Sequence, residues 1–296
     1  MERRQYPAEA VRDDFVPKED YLDPDFARHE AENLWPKVWQ IVCRLEEIPN
    51  VGDYITYEIL TDSIIVTRSA EDEVKAFHNA CPHRGNQLVD GCGNARQFVC
   101  SFHGWRFRLD GRCVKVIDRD DWGTCLSDDD TNLSPVQVGI WGGWVWINMD
   151  PNAAPLDTFL GAAGRILAHF EMDRMRYKWR QWTVYPCNWK TALEAFMEPY
   201  HVAGTHTQLL DYAEFYAYSV AYDLHGVSGF DQRDAAHKTT QGGSVTGVGK
   251  GDDARISTYE LVRENYQTVN FFRLDRNAGQ RRQPVAARTA RGDLGG

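Results

Sequence analysis

The segment CPHRGNQL at residues 81–88 places Cys81 and His83 one residue apart, and CSFHGW at 100–105 places Cys100 and His103 two residues apart. Sixteen residues lie between the two pairs. Each short loop therefore offers one thiolate and one imidazole. Each also carries a glycine just behind the ligands, Gly85 or Gly104, where the backbone can turn close to a bound group. A [2Fe–2S] cluster explains the mixture: Cys81 and Cys100 would hold one iron, His83 and His103 the other. Replacing two thiolates by neutral imidazoles removes negative charge and raises the potential to roughly −150 to +300 mV. Structural zinc also accepts two Cys and two His, although zinc-finger spacings usually pair Cys with Cys and His with His. Surface histidines met by chance are the remaining alternative. Cys43, Cys92, Cys113, Cys125 and Cys187 suit small buried hydrophobes better than ligands.

A second constellation lies in NWKTALEAFMEPYHVAGTH at 188–206. Glu194, Glu198 and His201 are spaced four and three residues apart, so on a helix they share a face. His206 follows five residues after His201, and Gly204 could break the helix and swing it back. Two imidazoles and one carboxylate form the facial triad of non-haem Fe(II) oxygenases, with positions open to O₂ and substrate. Taken alone, such a run is often a solvated helix face. Beside an electron-transfer cluster it gains weight, because a cluster needs an acceptor.

The elements that must position these residues fall into two stretches. A helix is expected over 20–36, capped by Asp23, opened by Pro24 and stopped by Pro36. Short β-rich runs follow at Gln40–Arg44, 54–60, 63–68 and 74–77, punctuated by Gly, Asp and Asn. Runs at 105–109 and 112–116 flank Asp110-Gly111, a two-residue hairpin signal, and 144–149 is another strand. Residues 155–172 have helical spacing, 177–185 alternate like a strand, and a second helical run starts near Asn188. This mixture predicts an α+β fold in four parts: an N-terminal helical segment at 1–37 that packs on the catalytic domain, a β domain at 38–155, that α+β catalytic domain, itself incomplete, at 156–270, and a disordered tail at 271–296. Residues 231–256 are polar and glycine-rich, as in a mobile loop. GGSVTGVGKGD within them fails as a phosphate loop, because Ser244 replaces the first glycine and Gly251 follows Lys250.

The bulk properties narrow the function. The chain has 296 residues, 43% of them hydrophobic, ten tryptophans and a formal net charge of −10. Acidity disfavours nucleic acid as a partner and leaves room for a basic protein. No segment is long and apolar enough to span a membrane, and the charged N-terminus lacks the apolar stretch of a signal peptide. Seven cysteines, an odd number, argue against a disulfide scaffold and for the reducing cytoplasm.

The two constellations, in this order, resemble the large (α) subunit of Rieske non-haem iron ring-hydroxylating oxygenases. The likeness runs from about residue 20 to about 220. It includes RGNQLVDG, HGWRFRLDG, WGGWVWINMDP and NWKTALEAFMEPYHVAGTH. It implies an all-β Rieske [2Fe–2S] domain joined to a helix-grip-like α+β catalytic domain. Cys81, His83, Cys100 and His103 match the cluster ligands, and His201 and His206 match two ligands of a mononuclear Fe(II). Glu198 matches the carboxylate that bridges a cluster histidine of one subunit to an iron histidine of the next; Glu194, on the same run, is the other catalytic candidate. Aspartate is common at that bridging position. Some monooxygenases of quaternary ammonium compounds are similar to this chain in having glutamate.

The resemblance further implies a terminal oxygenase fed by an NAD(P)H-dependent reductase, sometimes through a ferredoxin. The cluster would store an electron and pass it through Glu198 to an iron that activates O₂ and hydroxylates an organic substrate. That substrate would be aromatic or, alternatively, a quaternary ammonium compound. The assembly would be a homotrimer or α3β3. Ninety residues (296 − 206) follow His206, whereas the family's third iron ligand normally lies considerably further downstream. The catalytic domain is thus expected to be incomplete, through truncation or an altered reading frame. Asp223, Asp231, Asp234, Asp252, Asp253 and Asp275 are the available substitutes. A Rieske electron-transfer protein with a vestigial iron site is the competing reading.

Overall fold

A computed structural model describes residues 16–177, 184–195, 201–206, 215–222 and 224–232. Seven strands make an antiparallel sheet in the order β1-β10-β9-β4-β3-β2-β5. They are β1 (Gln40–Arg44), β2 (Asp53–Ile59), β3 (Asp62–Ala70), β4 (Glu73–His78), β5 (Cys92–Asn94), β9 (Pro135–Trp141) and β10 (Trp144–Asn148). A second, three-stranded sheet joins β6 (Phe98–Val99), β7 (Arg106–Phe107) and β8 (Cys113–Lys115).

Strand periodicity explains why the large sheet carries a core on each face. Ile64 and Val66 of β3, with Val74 and Ala76 of β4, point into one core with Cys43, Val145 and Ile147. Ile65 and Phe77 point the other way, into a core with Cys81, Phe98, Cys100, Trp105 and Phe107. Ile64, Ile65 and Val66 are therefore consecutive yet fully buried, each contributing about 1.5–3 kcal/mol by leaving water. The second core is the one that holds both cysteines of the candidate cluster.

Three sequence expectations shift in detail. The helix over 20–36 is broken into α1 (Glu19–Leu22) and α2 (Pro24–Asn33), followed by a 3-10 turn at Trp35–Lys37. Asp23 caps α2 as expected, its side chain accepting from the Asp25 N–H at 2.8 Å. Pro36 lies inside the 3-10 turn, after the α-helix has already ended. The Asp110-Gly111 hairpin is wider than a two-residue turn. Phe107 pairs with Cys113, and the Gly111 N–H donates to the Arg108 carbonyl at 3.0 Å, so Leu109 and Asp110 are the central residues. Strand β9, not anticipated, pairs with β10 across Gly142-Gly143, whose φ values of 61° and 76° meet the positive-φ demand of a tight two-residue loop.

The chain leaves the β-sheet through a polar clasp. Arg44, beneath which lies the Trp144 ring, donates to the carbonyls of Met172 and Met175 at 3.1 and 2.6 Å and pairs with Glu46 at 3.2 Å. Glu46 in turn accepts from the Tyr177 N–H at 3.0 Å. Helix α4 (Leu156–Leu167) packs Leu156 and Leu160 on Trp39, and it is shorter than the helical spacing over 155–172 suggests. Beyond it lie α5 (Trp189–Glu194), α6 (Val202–Thr205) and the hairpin of β11 (Phe215–Tyr222) and β12 (His225–Gln232). Short α3 (Asp128–Thr131) precedes β9. Most of the strand-like run 177–185, nearly all of the glycine-rich loop and the whole C-terminal tail lie outside the described residues. Among the described residues no helix is long and apolar enough to cross a membrane.

Candidate metal centres

Two loops of the same design face each other across the second core. In the first, after β4, the Cys81 N–H donates to the Asn86 carbonyl at 2.9 Å and the Gly85 N–H returns to the Cys81 carbonyl at 2.8 Å. In the second, between β6 and β7, Cys100 N–H donates to the Trp105 carbonyl at 2.8 Å and Gly104 N–H to the Cys100 carbonyl at 2.9 Å. Gly85 and Gly104 both have φ of 69°, a left-handed backbone that a side chain would strain. These closures turn successive N–H groups toward each sulfur. They also bring the imidazoles of His83 and His103 to a centroid separation of 4.6 Å.

The residues present fit a two-iron cluster on three counts. Cys81 and Cys100 are buried and share a hydrogen bond, the Cys81 thiol donating to Cys100. The His103 Nδ1 is buried without a hydrogen-bond partner, as befits an atom reserved for a metal. The donors are two thiols and two imidazoles, a set that structural zinc also accepts, but each loop supplies one of each, the pairing that a Rieske-type cluster asks for.

Burial pushes the Cys81 thiol up to about 11, against the pull of the His83 and Arg84 N–H groups. Burial also acts to raise Cys100. It is outweighed by the N–H groups of Phe102 and His103, the Cys81 thiol and the Asn86 amide, which bring Cys100 below the usual thiol range. Metal binding must release the thiol protons that the pair holds. His83 is held below its ordinary value, first by burial and then by the charges of His103 and Arg84.

Several residues that build this centre carry no ligand atom and escaped sequence reasoning. The Asn86 amide reaches Cys100 Sγ at 3.7 Å. The buried Asn79 accepts from the N–H groups of Leu88 and Val89 at 3.0 and 3.2 Å and donates to the Val89 carbonyl at 2.7 Å, pinning the first loop. Trp105 stacks on His83 at 5.1 Å and 10°, and Trp122 meets the same ring edge-on at 5.8 Å. The only signal for these was their place inside or near the ligand motifs.

The second constellation, expected to share one helix face, is described only in part. Helix α5 ends at Glu194, and α6 begins only at Val202. Glu198 lies in residues 196–200, outside the described residues. His201 and His206 flank α6, their rings 5.3 Å apart at 73°. Gly204 sits inside α6, without the left-handed backbone found at other glycines, so the short helix itself returns His206 toward His201. Glu194 accepts a hydrogen bond from the Tyr21 hydroxyl at 2.5 Å. Of the six candidate aspartates, only Asp231 falls in a described element, β12, opposite Tyr216.

Fold and site together define a redox protein: an all-β domain built around a mixed thiolate–imidazole iron–sulfur centre, followed by helices that pair two histidines. Comparison with known proteins agrees. Residues 38–124 match the Rieske [2Fe-2S] domain, and residues 168–271 match the ring hydroxylating alpha subunit (catalytic domain). The chain thus carries a Rieske domain followed by a ring-hydroxylating α-subunit catalytic domain, and these two domains imply a Rieske cluster and a mononuclear iron. It is 34% identical over 214 residues to the carnitine monooxygenase oxygenase subunit of Escherichia coli (strain K12), covering 71% of this chain and 56% of that one. It is 33% identical over 199 residues to the benzene 1,2-dioxygenase subunit alpha of Pseudomonas putida, covering 64% and 43%. Among solved structures, the quaternary ammonium Rieske monooxygenase CntA with L-carnitine superposes with a TM-score of 0.64 at 28% identity, over 72% of this chain and 61% of that one. Naphthalene 1,2-dioxygenase from Rhodococcus sp. gives 0.65 at 28%, over 74% and 54%. The chain thus spans about half the length of the curated relatives it matches.

Proposed function

We propose that this chain is the terminal oxygenase component of a multicomponent Rieske oxygenase. The observation that carries the reading is the pairing of two buried thiols by a hydrogen bond and of two imidazoles 4.6 Å apart, with His103 Nδ1 left without a hydrogen-bond partner, in a chain that goes on to pair His201 with His206. When bound, the cluster supplies single electrons and the mononuclear iron supplies O₂ activation. The chain's own residues do the rest. Cys81, His83, Cys100 and His103 hold the cluster, while His201 and His206 hold the iron. Glu198 links the two centres between neighbouring subunits as a hydrogen-bonding carboxylate, and Glu194 keeps the helix before it in place through Tyr21. An N-terminal segment at 1–37, a cluster domain at 38–155 and an iron domain at 156–270 divide the work.

The partners in this reading are an NAD(P)H-dependent reductase, with or without a ferredoxin, and copies of the chain itself in a trimer or α3β3 assembly. The odd number of cysteines, seven, is in keeping with a reducing, cytoplasmic setting. The substrate is a small organic molecule. An aromatic compound is one class, supported by the likeness to benzene 1,2-dioxygenase. A quaternary ammonium compound is the other, favoured by the glutamate at position 198 and by the likeness to carnitine and glycine betaine monooxygenase subunits.

The test is turnover with a reductase and NADH, following substrate-dependent reoxidation of the cluster and the hydroxylated product. Carnitine and glycine betaine should compete against benzene and naphthalene. Reoxidation with either group supports an oxygenase and selects the class. A cluster that reduces normally but is never reoxidised with O₂ and any substrate would leave electron transfer as the function.

A further inference from the structure

The first three residues of the iron-site motif, Asn188, Trp189 and Lys190, have no metal to bind. All three turn instead toward the N-terminal helices. Asn188 caps α5 by accepting from the Lys190 N–H at 2.9 Å, and its amide donates to the Tyr21 carbonyl at 2.9 Å. The Trp189 indole donates to one oxygen of Glu30 at 3.1 Å, while its ring meets Trp35 edge-on at 4.9 Å. The Lys190 ammonium donates to the other oxygen of Glu30 at 2.7 Å. That ammonium also lies 5.5, 5.0 and 5.1 Å from the rings of Tyr21, Phe26 and Trp189. The side chains of Lys190 and Glu30 are only 15% and 11% exposed.

One carboxylate thus grips two successive residues at the start of α5, and Tyr21 holds Glu194 at its end. A six-residue helix has no stability of its own in water and takes its place from what grips it. A largely buried ion pair adds little net stability over an apolar pair of the same shape, but separating its partners leaves a poorly solvated charge, which disfavours other arrangements. The aromatic faces add attraction for the desolvated cation. Seven residues after Glu194 the chain reaches His201.

We propose that Lys190, clamped by Glu30 within the cage of Tyr21, Phe26 and Trp189, is a positioning residue for the His201–His206 pair, so that the N-terminal helices set the geometry of the iron site. This rests on the iron-site reading given under the proposed function. Lys190 does not touch the metal; it fixes the helix from which the ligand segment departs.

The test uses the whole chain with its cluster in place and Co(II) as the probe of the histidine pair. Lys190→Met and Glu30→Gln should each weaken Co(II) binding by about tenfold, the lower end of what a lost supporting contact costs a metal site. They should also change the visible ligand-field spectrum of the bound cobalt. Cluster content and its electron resonance should stay at the parent level, since no cluster ligand contacts this network. Lys190→Arg keeps the charge and stacks on aromatic faces, and should return both affinity and spectrum toward the parent. Unchanged cobalt affinity and spectrum in Lys190→Met and Glu30→Gln would overturn the proposal. So would a parallel loss of cluster and cobalt, which marks general destabilisation, or an arginine variant as weak as the methionine one. A parent chain that binds no Co(II) would instead remove the iron-site reading itself.

Discussion

The two metal regions of this chain are built on opposite principles. The cluster region is self-sufficient. Its ligands sit on two short loops of one design, closed by their own backbone hydrogen bonds and backed by a core that includes the ligand cysteines. The histidine pair depends on distant parts. It flanks a four-residue helix, follows a six-residue one, and the latter is held from 159 and 160 residues away in sequence by Glu30. A site enclosed by local closures survives changes elsewhere in the chain. A site carried on short helices inherits every displacement of what supports them.

The largest expected effect breaks the cluster side of this contrast. Cys100→Ser removes the thiolate that four hydrogen-bonding groups already favour, and should abolish iron and acid-labile sulfide incorporation while leaving the sheet folded by circular dichroism. Glu198→Gln comes next. Cluster content should be unchanged, but substrate-dependent reoxidation should fall to background; full turnover would show the carboxylate to be mere surface charge.

The third prediction compares the two loops. Gly85→Ala adds a Cβ that meets nothing within 4 Å, so its cost is the left-handed backbone alone, about 1–2 kcal/mol. Gly104→Ala bears the same cost, and its Cβ lies 3.3 Å from Ile117 Cδ1. Urea midpoints should therefore fall further for Gly104→Ala, and Ile117→Val in that background should recover the difference. Equal losses would show that backbone conformation alone decides both.

A smaller effect is electronic. Asn86→Ala deletes the amide directed at Cys100 Sγ. Hydrogen bonds to cluster sulfurs raise the potential, so its loss should lower the midpoint by roughly 40 mV, the one-electron equivalent of about 1 kcal/mol. The smallest effect lies away from both centres. The Asn94 amide, and then the Asn50 N–H, hold the Asp53 carboxyl below its ordinary value. A depressed carboxyl stabilises the fold above its unfolded value and stops doing so as pH falls through its folded one. Asp53→Asn should thus cost a little stability at neutral pH, a cost that starts to fade near the ordinary aspartate value of about pH 4 and vanishes only below the carboxyl's own depressed value.

What the sequence revealed follows the same division. The two ligand motifs and the strands around them were legible because each motif is local in sequence and the strands are short β-rich runs set off by Gly, Asp and Asn; β1 spans Gln40–Arg44, the run read from its residues. Strand β9 was hidden because its alternating residues include Gly139, whose place is set by Leu156 packing against it from α4. The helix face expected to be shared by Glu194, Glu198 and His201 lies partly in residues 196–200, outside the described residues. The grip of Glu30 on Trp189 and Lys190 could not be read at all, since nothing in a linear sequence pairs residues so far apart.

The central claim is that the cluster has two imidazole and two thiolate ligands, at His83, His103, Cys81 and Cys100. The most direct measurement is pulsed electron resonance of the dithionite-reduced protein, read for nitrogen hyperfine coupling. The parent protein should show an average g below that of all-cysteine clusters and two strongly coupled histidine nitrogens. In His83→Cys one of those nitrogens should disappear, with the potential lowered by the restored anionic ligand. A reduced protein with no coupled nitrogen, or one holding stoichiometric zinc and no acid-labile sulfide, would contradict the assignment.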